Sequence, residues 1–270
     1  MFDLHAGLLA FAAILGVVVA TWLISIPKQD VSIVDSIWSL LLLVATGAYL
    51  YVAGRDVVPR AWVALALVGV WALRLMVYIT VRNHGAGEDR RYQAIRARNQ
   101  PGFAFKSLYL VFILQGVLAW ILSLSVMAAV LGTRPLSWLD ALGVLLWVSG
   151  FVFEAVGDAQ LARFKAGSHS KDQVMDRGLW HYTRHPNYFG ECCMWWGLFL
   201  LALASGGWWS IVSPLMMTVM LLKVSGVALL EKDLAARRPA YRDYIARTSA
   251  FLPWPPRSAG EAAHPQRGTR

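Results

Sequence analysis

Charge is scarce in this chain. Only 15% of its 270 residues are Asp, Glu, Lys or Arg, where a soluble domain carries roughly a quarter. Cysteine is scarcer still, with Cys192 and Cys193 the only two. Helical neighbours point their side chains about 100° apart, so this pair cannot readily form a bridge. Two small apolar fillers are expected there, and a disulfide framework is excluded. No Cys or His spacing of a metal site is present. The sequence also lacks a G-x-G-x-x-G turn and a P-loop, so neither common phosphate cradle is available. The first apolar run, residues 4–26, has no basic segment ahead of it and no small-residue cleavage site, so it reads as a retained span and not a leader.

What the chain has is apolar length. Hydrophobic residues make up 57% of it, mean hydropathy is +0.51, and there are 13 Trp, a residue that gathers at membrane interfaces. These values predict an all-α integral membrane protein. Seven runs approach the ~20 residues that a bilayer core requires: about 4–26, 32–53, 60–82, 106–131, 138–162, 187–204 and 209–231. The length suits one compact helical domain over 1–256, followed by a disordered tail, 257–270.

The formal net charge is +9, but its placement is topological. Of 25 Lys and Arg, 20 fall in the segments 27–31, 82–106, 163–186 and the tail after 231. Three (Arg55, Arg60, Arg134) fall on the other side, and two (Arg74, Lys223) lie inside spans. By the positive-inside rule the N-terminus is outside and the C-terminus cytoplasmic, in agreement with an odd number of spans. The basicity needs no nucleic acid. The expected setting is the bacterial inner membrane, crossed several times, with membrane lipids as neighbours and a monomer as a plausible state.

Ionisable groups inside the spans are costly and mark function. Asp35, Arg74, Glu154, Asp158, Glu191, Lys223 and Glu231 all fall in the cytoplasmic half of their spans, Arg74 ~12 Å from its end. One shared polar pocket open to the cytoplasm is the expectation. Glu154 and Asp158 are spaced i, i+4 and share a helix face, so a cation or ligand hydroxyls should stand opposite. The run Glu88–Tyr92 opens a short polar helix, about 88–99, which reads equally as a solvated face or as a lid carrying Arg91 and Tyr92.

The densest polar stretch is Arg177-Gly-Leu-Trp-His-Tyr-Thr-Arg-His-Pro-Asn-Tyr-Phe-Gly-Glu191. With Arg163, Lys165 and Lys171 it supplies cations that could bind an anion directly. Pro186 suits the first turn of a helix, whose free N–H groups would face the same loop. Trp180, Tyr182 and Tyr188 could stack on an adenine or nicotinamide ring, and an interfacial belt is as good an account of Trp180. A companion stretch, Glu231 … Arg238-Pro-Ala-Tyr241-Arg-Asp-Tyr244 … Phe251-Leu-Pro253, should fold back over the same mouth.

These two stretches resemble the C-terminal catalytic region of the steroid 5-alpha-reductase family, with its bacterial branch of uncharacterised membrane proteins the nearest match. Asp35-Ser-Ile-Trp38, Arg74-Leu and Glu88–Tyr92 are similar to that branch too, so the resemblance covers most of residues 30–255. Sterol reductases and isoprenylcysteine carboxyl methyltransferases have similar motifs. The resemblance implies a seven-helix enzyme that takes NADPH from the cytoplasm and reduces the conjugated C=C of a lipophilic enone such as a 3-oxo-Δ4-steroid. It implies that Asn187, Tyr188 and Glu191 meet the nicotinamide end. Asp158, Arg163 and Lys165 would hold ribose and phosphates, while Arg74, Arg177, Tyr182, Arg184, His185, Glu231, Tyr241 and Tyr244 complete the cofactor shell. The family's Gln-Glu pair in the second span falls at Val34 and Asp35, and a family tyrosine falls at Trp71. Both are departures that bear on steroid specificity.

In the expected reaction, hydride reaches the β-carbon and negative charge develops on the carbonyl oxygen, where a hydrogen-bond donor stabilises it. Asp35 can be that donor only if protonated, which apolar surroundings favour. Tyr78 is the alternative donor, or a core aromatic. The competing enzyme reading is an S-adenosylmethionine-dependent methyltransferase of the isoprenylcysteine or lipid type. The loop cations and the carboxylates at 154 and 158 favour a phosphate-bearing dinucleotide.

Overall fold

A computed structural model describes residues 2–55, 57–167, 173–224, 227, 231 and 239–257. The protein is all-helical: 79% of the described residues are helix, and no strand occurs among them. Among the described residues, five helices are long and apolar enough to cross a membrane. They are α1 (Leu4–Lys28), α2 (Ile33–Ala53), α3 (Pro59–Asn83), α5 (Phe103–Leu131) and α6 (Trp138–Ala166). Each coincides with one of the first five expected spans, four of them extended by a few residues and α2 beginning one residue later than expected. The short polar helix is also present, as α4 (Arg90–Arg98). A single turn, α7 (Leu179–Tyr182), precedes α8 (Pro186–Ala204), which occupies the expected sixth span. Of the expected seventh, 209–231, the described part is α9 over Trp208–Val224, tight in its first turn and wide in its last, with Val227 and Glu231 also helical. Residues 225–226 and 228–230 lie outside the described part, as do Lys171, Arg238 and the tail from 258. The last described helix is α10 (Pro239–Arg247).

Helix ends follow local chemistry. The Asp3 carboxylate accepts the Ala6 N–H at 2.9 Å and caps α1, and Lys28 closes that helix beside its negative end. Pro59 starts α3 with a preset φ and no N–H to satisfy. Asp89 caps α4 through the Arg91 N–H, again at 2.9 Å.

The chain divides into two compact units. The first comprises residues 1–143 and 198–213, the second residues 144–197 and 214–270. In the first, α2 packs on both α1 and α3, and α5 packs across all three. Ala6, Ala10, Ile14 and Val18 form the buried stripe of α1, one residue per turn. With no hydrophobic drive between helices in lipid, small residues and hydrogen bonds hold such a bundle. Ser39 donates to the Ala72 carbonyl at 2.8 Å, joining α2 to α3, and the Tyr49 and Ser123 hydroxyls meet at 2.6 Å, joining α2 to α5.

Arg60, counted from sequence merely as an outward-side charge, is a buried staple with 1% exposure. Its guanidinium forks onto Asp140 at 2.6 and 2.9 Å and also donates to the Arg134 and Pro135 carbonyls. It therefore ties the start of α3 to the loop before α6. A buried pair of this kind costs ~3–5 kcal/mol when one partner is removed.

Candidate functional site

The second unit gathers most of the Arg177–Glu191 stretch around α6. Close approach of two backbones makes this possible. A Cβ on Gly190 would stand 2.4 Å from the Gly150 carbonyl oxygen and 2.6 Å from the Glu154 nitrogen, so only glycine lets α8 cross α6 there. That crossing sets Asn187 beside Asp158, whose carboxylate accepts the Asn187 amide at 3.2 Å. Asp158 and Glu154 are 4% and 3% exposed, so both expected carboxylates are indeed buried on one face of α6. The Asn187 Oδ1 is buried and has no hydrogen-bond partner among the described residues. Glu191 lies one turn further along α8, half-buried.

Next to this pair, the His185 and Tyr188 rings stack with centroids 5.3 Å apart and planes 4° from parallel. His185 Nε2 stands 3.1 Å from Glu231. Arg184 is almost entirely consumed by the protein itself. Its Nε and Nη2 fork onto Glu231 at 2.7 and 2.9 Å, and its Nη1 donates to the Ile245 and Thr248 carbonyls. Its backbone N–H donates to Ser249 at 2.9 Å. Arg184 therefore binds the C-terminal segment to the loop before α8. That docking confirms the expected fold-back of the segment that carries Tyr241 and Tyr244. Thr183 donates to Phe251, the Trp254 N–H donates to Tyr182, and the Tyr244 hydroxyl donates to Trp180.

Burial, then the charge of Glu231, pushes the Tyr241 phenol up to about 12, and burial pushes Tyr244 higher. Both stay protonated at any physiological pH. Trp180 is a structural residue: its indole N–H donates to Gly157 at 3.0 Å. Arg163, Lys165, Arg177 and Tyr182 are exposed on the rim of this unit. Sequence reasoning missed Gln160, whose amide oxygen accepts the Leu179 N–H at 3.0 Å and starts α7. A polar residue one helical turn from Gly157 and Asp158 was the available signal.

The first unit holds a second polar cluster at the other chain positions expected to matter. Asp35 accepts the Tyr92 hydroxyl at 2.6 Å on one oxygen and Arg91 at 2.9 Å on the other. Asp35, expected to donate when protonated, is thus engaged on both oxygens, by the Tyr92 hydroxyl and the Arg91 guanidinium. Burial, and then the Asp35 charge, raises the Tyr92 phenol well above its ordinary value. Gln115 of α5 also hydrogen-bonds Tyr92. That residue was missed, although a lone amide within an apolar run was a legible signal. It follows a wide helical turn, Leu108–Ile113, a distortion common at functional sites. Arg74 and Tyr78 are half-buried on α3, and the Arg82 guanidinium lies 5.8 Å from the Tyr78 ring centre. Trp71 is buried edge-on against Trp38 at 6.3 Å, a packing role.

The fold and its apolar helices define a multi-pass, all-helical membrane protein. A family model described as a protein of unknown function, DUF1295, matches residues 21–248, and the chain belongs to that family. No curated protein and no solved structure matches the chain. No group of three or more His, Cys, Asp or Glu residues able to hold a metal occurs among the described residues.

Proposed function

We propose that the protein is an NADPH-dependent membrane reductase that transfers hydride to the conjugated C=C of a lipophilic enone, in the manner of steroid 5-alpha-reductases. The observation that carries this reading is the Asp158–Asn187 pair beside the His185–Tyr188 ring stack. A buried carboxylate offers an acceptor for ribose hydroxyls. The unmatched Asn187 Oδ1 suits a carboxamide N–H donor, and a flat ring stack suits a planar heterocycle. Glu191 and the exposed Arg163, Lys165 and Arg177 supply the remaining polar contacts for nicotinamide and phosphates. NADPH brings the hydride. The chain's part is to bind and orient that cofactor and to offer a proton where charge develops.

The same proposal includes seven spans with the N-terminus outside, the C-terminus in the cytoplasm, and a bacterial inner-membrane location. A second reading, an S-adenosylmethionine-dependent methyltransferase, gains from one observation. Arg184 is spent on Glu231 and on carbonyls, which leaves fewer cations for phosphates than the sequence promised.

Titration of the detergent-purified protein with NADPH and with S-adenosylmethionine, read by thermal shift, separates the two. A shift with NADPH alone, lost in Asn187→Leu and Asp158→Asn, supports the reductase. A shift with S-adenosylmethionine alone overturns it.

A further inference from the structure

The first unit contains a pocket unrelated to either polar cluster. It encloses about 320 Å³, part of it open to solvent, and lies where α1 begins and where α5 and α8 end. Asp3, Leu131, Gly132, Ser205, Gly206 and Trp209 are among its walls. Its charge is arranged in two halves.

One half is negative. Asp3 spends a single oxygen on the Ala6 N–H, and its other oxygen remains able to accept. In the last turn of α5 the Ala128 carbonyl accepts the Ser205 hydroxyl at 2.7 Å, and the carbonyls beyond it add to this half, because Gly132 leaves in an extended conformation (φ −76°, ψ 132°) and no cap N–H closes that end. Uncapped carbonyls at a helix C-terminus carry about half a negative charge.

The other half is positive. The Trp209 indole N–H is buried and has no partner among the described residues. The Arg134 guanidinium lies against Gly206, its carbon 3.0 Å from where a Cβ would stand, so a side chain at 206 would displace it. Arg134 stands outside the pocket's walls, exposed at its Gly206 edge, and forms no ion pair among the described residues.

The height of the pocket is marked by aromatic side chains. Tyr51, Trp62, Trp138 and Trp208 are 79%, 57%, 72% and 70% exposed, and each sits at the same end of its helix as the pocket. Exposed rings at such positions belong at the level of lipid headgroups.

The geometry points to a binding site for a zwitterionic lipid headgroup with a primary ammonium and a phosphate, as in phosphatidylethanolamine. The ammonium donates to Asp3 and to the end of α5. The phosphate takes the Trp209 N–H and the Arg134 guanidinium. A primary ammonium fits better than a quaternary one, because the negative half is made of hydrogen-bond acceptors and not of an aromatic cage.

The test is lipid-resolved stability and native mass spectrometry of the full chain in detergent. Added phosphatidylethanolamine is expected to raise Tm more than phosphatidylcholine or phosphatidylglycerol, and to survive as a one-to-one adduct. Asp3→Asn keeps the helix cap, since Asn caps as well as Asp, and is expected to abolish the selective shift. Trp209→Phe and Arg134→Gln are expected to weaken the adduct while leaving the other lipids' responses unchanged. Equal shifts with all three lipids, or an unchanged phosphatidylethanolamine adduct in Asp3→Asn, would overturn the site. A shift of the same size with free phosphoethanolamine would overturn its assignment to lipid.

Discussion

At the scale of single residues, Arg184 shows how a side chain's role depends on partners that lie far off in sequence. Its carboxylate partner, Glu231, is 47 residues away, and its carbonyl acceptors are further still. From sequence, an arginine beside Pro186 reads as a cofactor cation, because the charges that would consume it cannot be located. Asp158 and Asn187 are 29 residues apart and were legible only as members of one polar set, not as a pair. By contrast, the burial of Glu154 and Asp158 on one face followed directly from their i, i+4 spacing within an apolar run. The Arg184 assignment makes a stability prediction. Arg184→Met leaves Glu231 without its fork, and Glu231→Gln leaves a buried guanidinium without its counter-charge. Each should cost ~3 kcal/mol or more. In Arg184→Met/Glu231→Leu neither charge is stranded, so the double variant should be clearly less damaged than the sum of the singles. Denaturant or thermal melts of the three variants check this, and strict additivity would show that the pair does not act as a unit.

At the scale of elements, α4 resolves an even choice between solvated face and lid into something more specific: it is latched to its neighbours. Arg96 pairs with Glu88 at 2.7 and 2.8 Å, donates to the Gln29 carbonyl at 3.0 Å, and lies over the Phe103 ring at 4.7 Å. Glu88 accepts the Val31 N–H at 3.0 Å. Tyr92 and Arg91 reach Asp35 from the same short helix. The existence and bounds of α4 were legible from its charges and from the Asn99-Gln-Pro101 stop. Its attachment was not, because its partners include backbone groups of the 29–31 turn, the Gln29 carbonyl as acceptor and the Val31 N–H as donor, which any sequence would supply.

The latch has a pH dependence with a defined sign. Burial alone would raise the Glu88 carboxyl. The Arg96 hydrogen bonds, the Val31 N–H and the Arg96 charge outweigh it and hold the group below its ordinary 4.5. A carboxyl with a depressed folded value contributes stability above its unfolded value and loses it as pH falls through the folded one. Amide exchange across α4 should therefore accelerate below the ordinary carboxyl range while α2 stays protected. In Glu88→Gln the exchange should be faster at neutral pH and nearly insensitive to acid. A Glu88→Gln profile that matches the wild type would remove the latch.

At the scale of the whole molecule, orientation in the bilayer rests on charge and on rings. Lys and Arg concentrate in the segments that join α3 to α5 and α6 to α8, and again after α9. The opposite ends of the same helices carry few cations. There Arg60 is consumed by Asp140, while Tyr51, Trp62, Trp138 and Trp208 stand exposed. The positive-inside rule counts cations in short loops close to span ends, so the paired Arg60 and the lone Arg55 and Arg134 weigh little against the basic side. The proposed orientation, with the N-terminus outside, is the one that meets both conditions. Because Cys192 and Cys193 are the only native thiols, a Cys192→Ser/Cys193→Ser background allows a direct test. In intact cells a membrane-impermeant maleimide should label Arg55→Cys. It should label Ala86→Cys, in the α3–α4 loop, only after permeabilisation. The reverse pattern would invert the topology, and with it the cytoplasmic access that a nucleotide cofactor needs. Labelling of both from outside would mean that α3 does not cross, although it is long and apolar enough to do so.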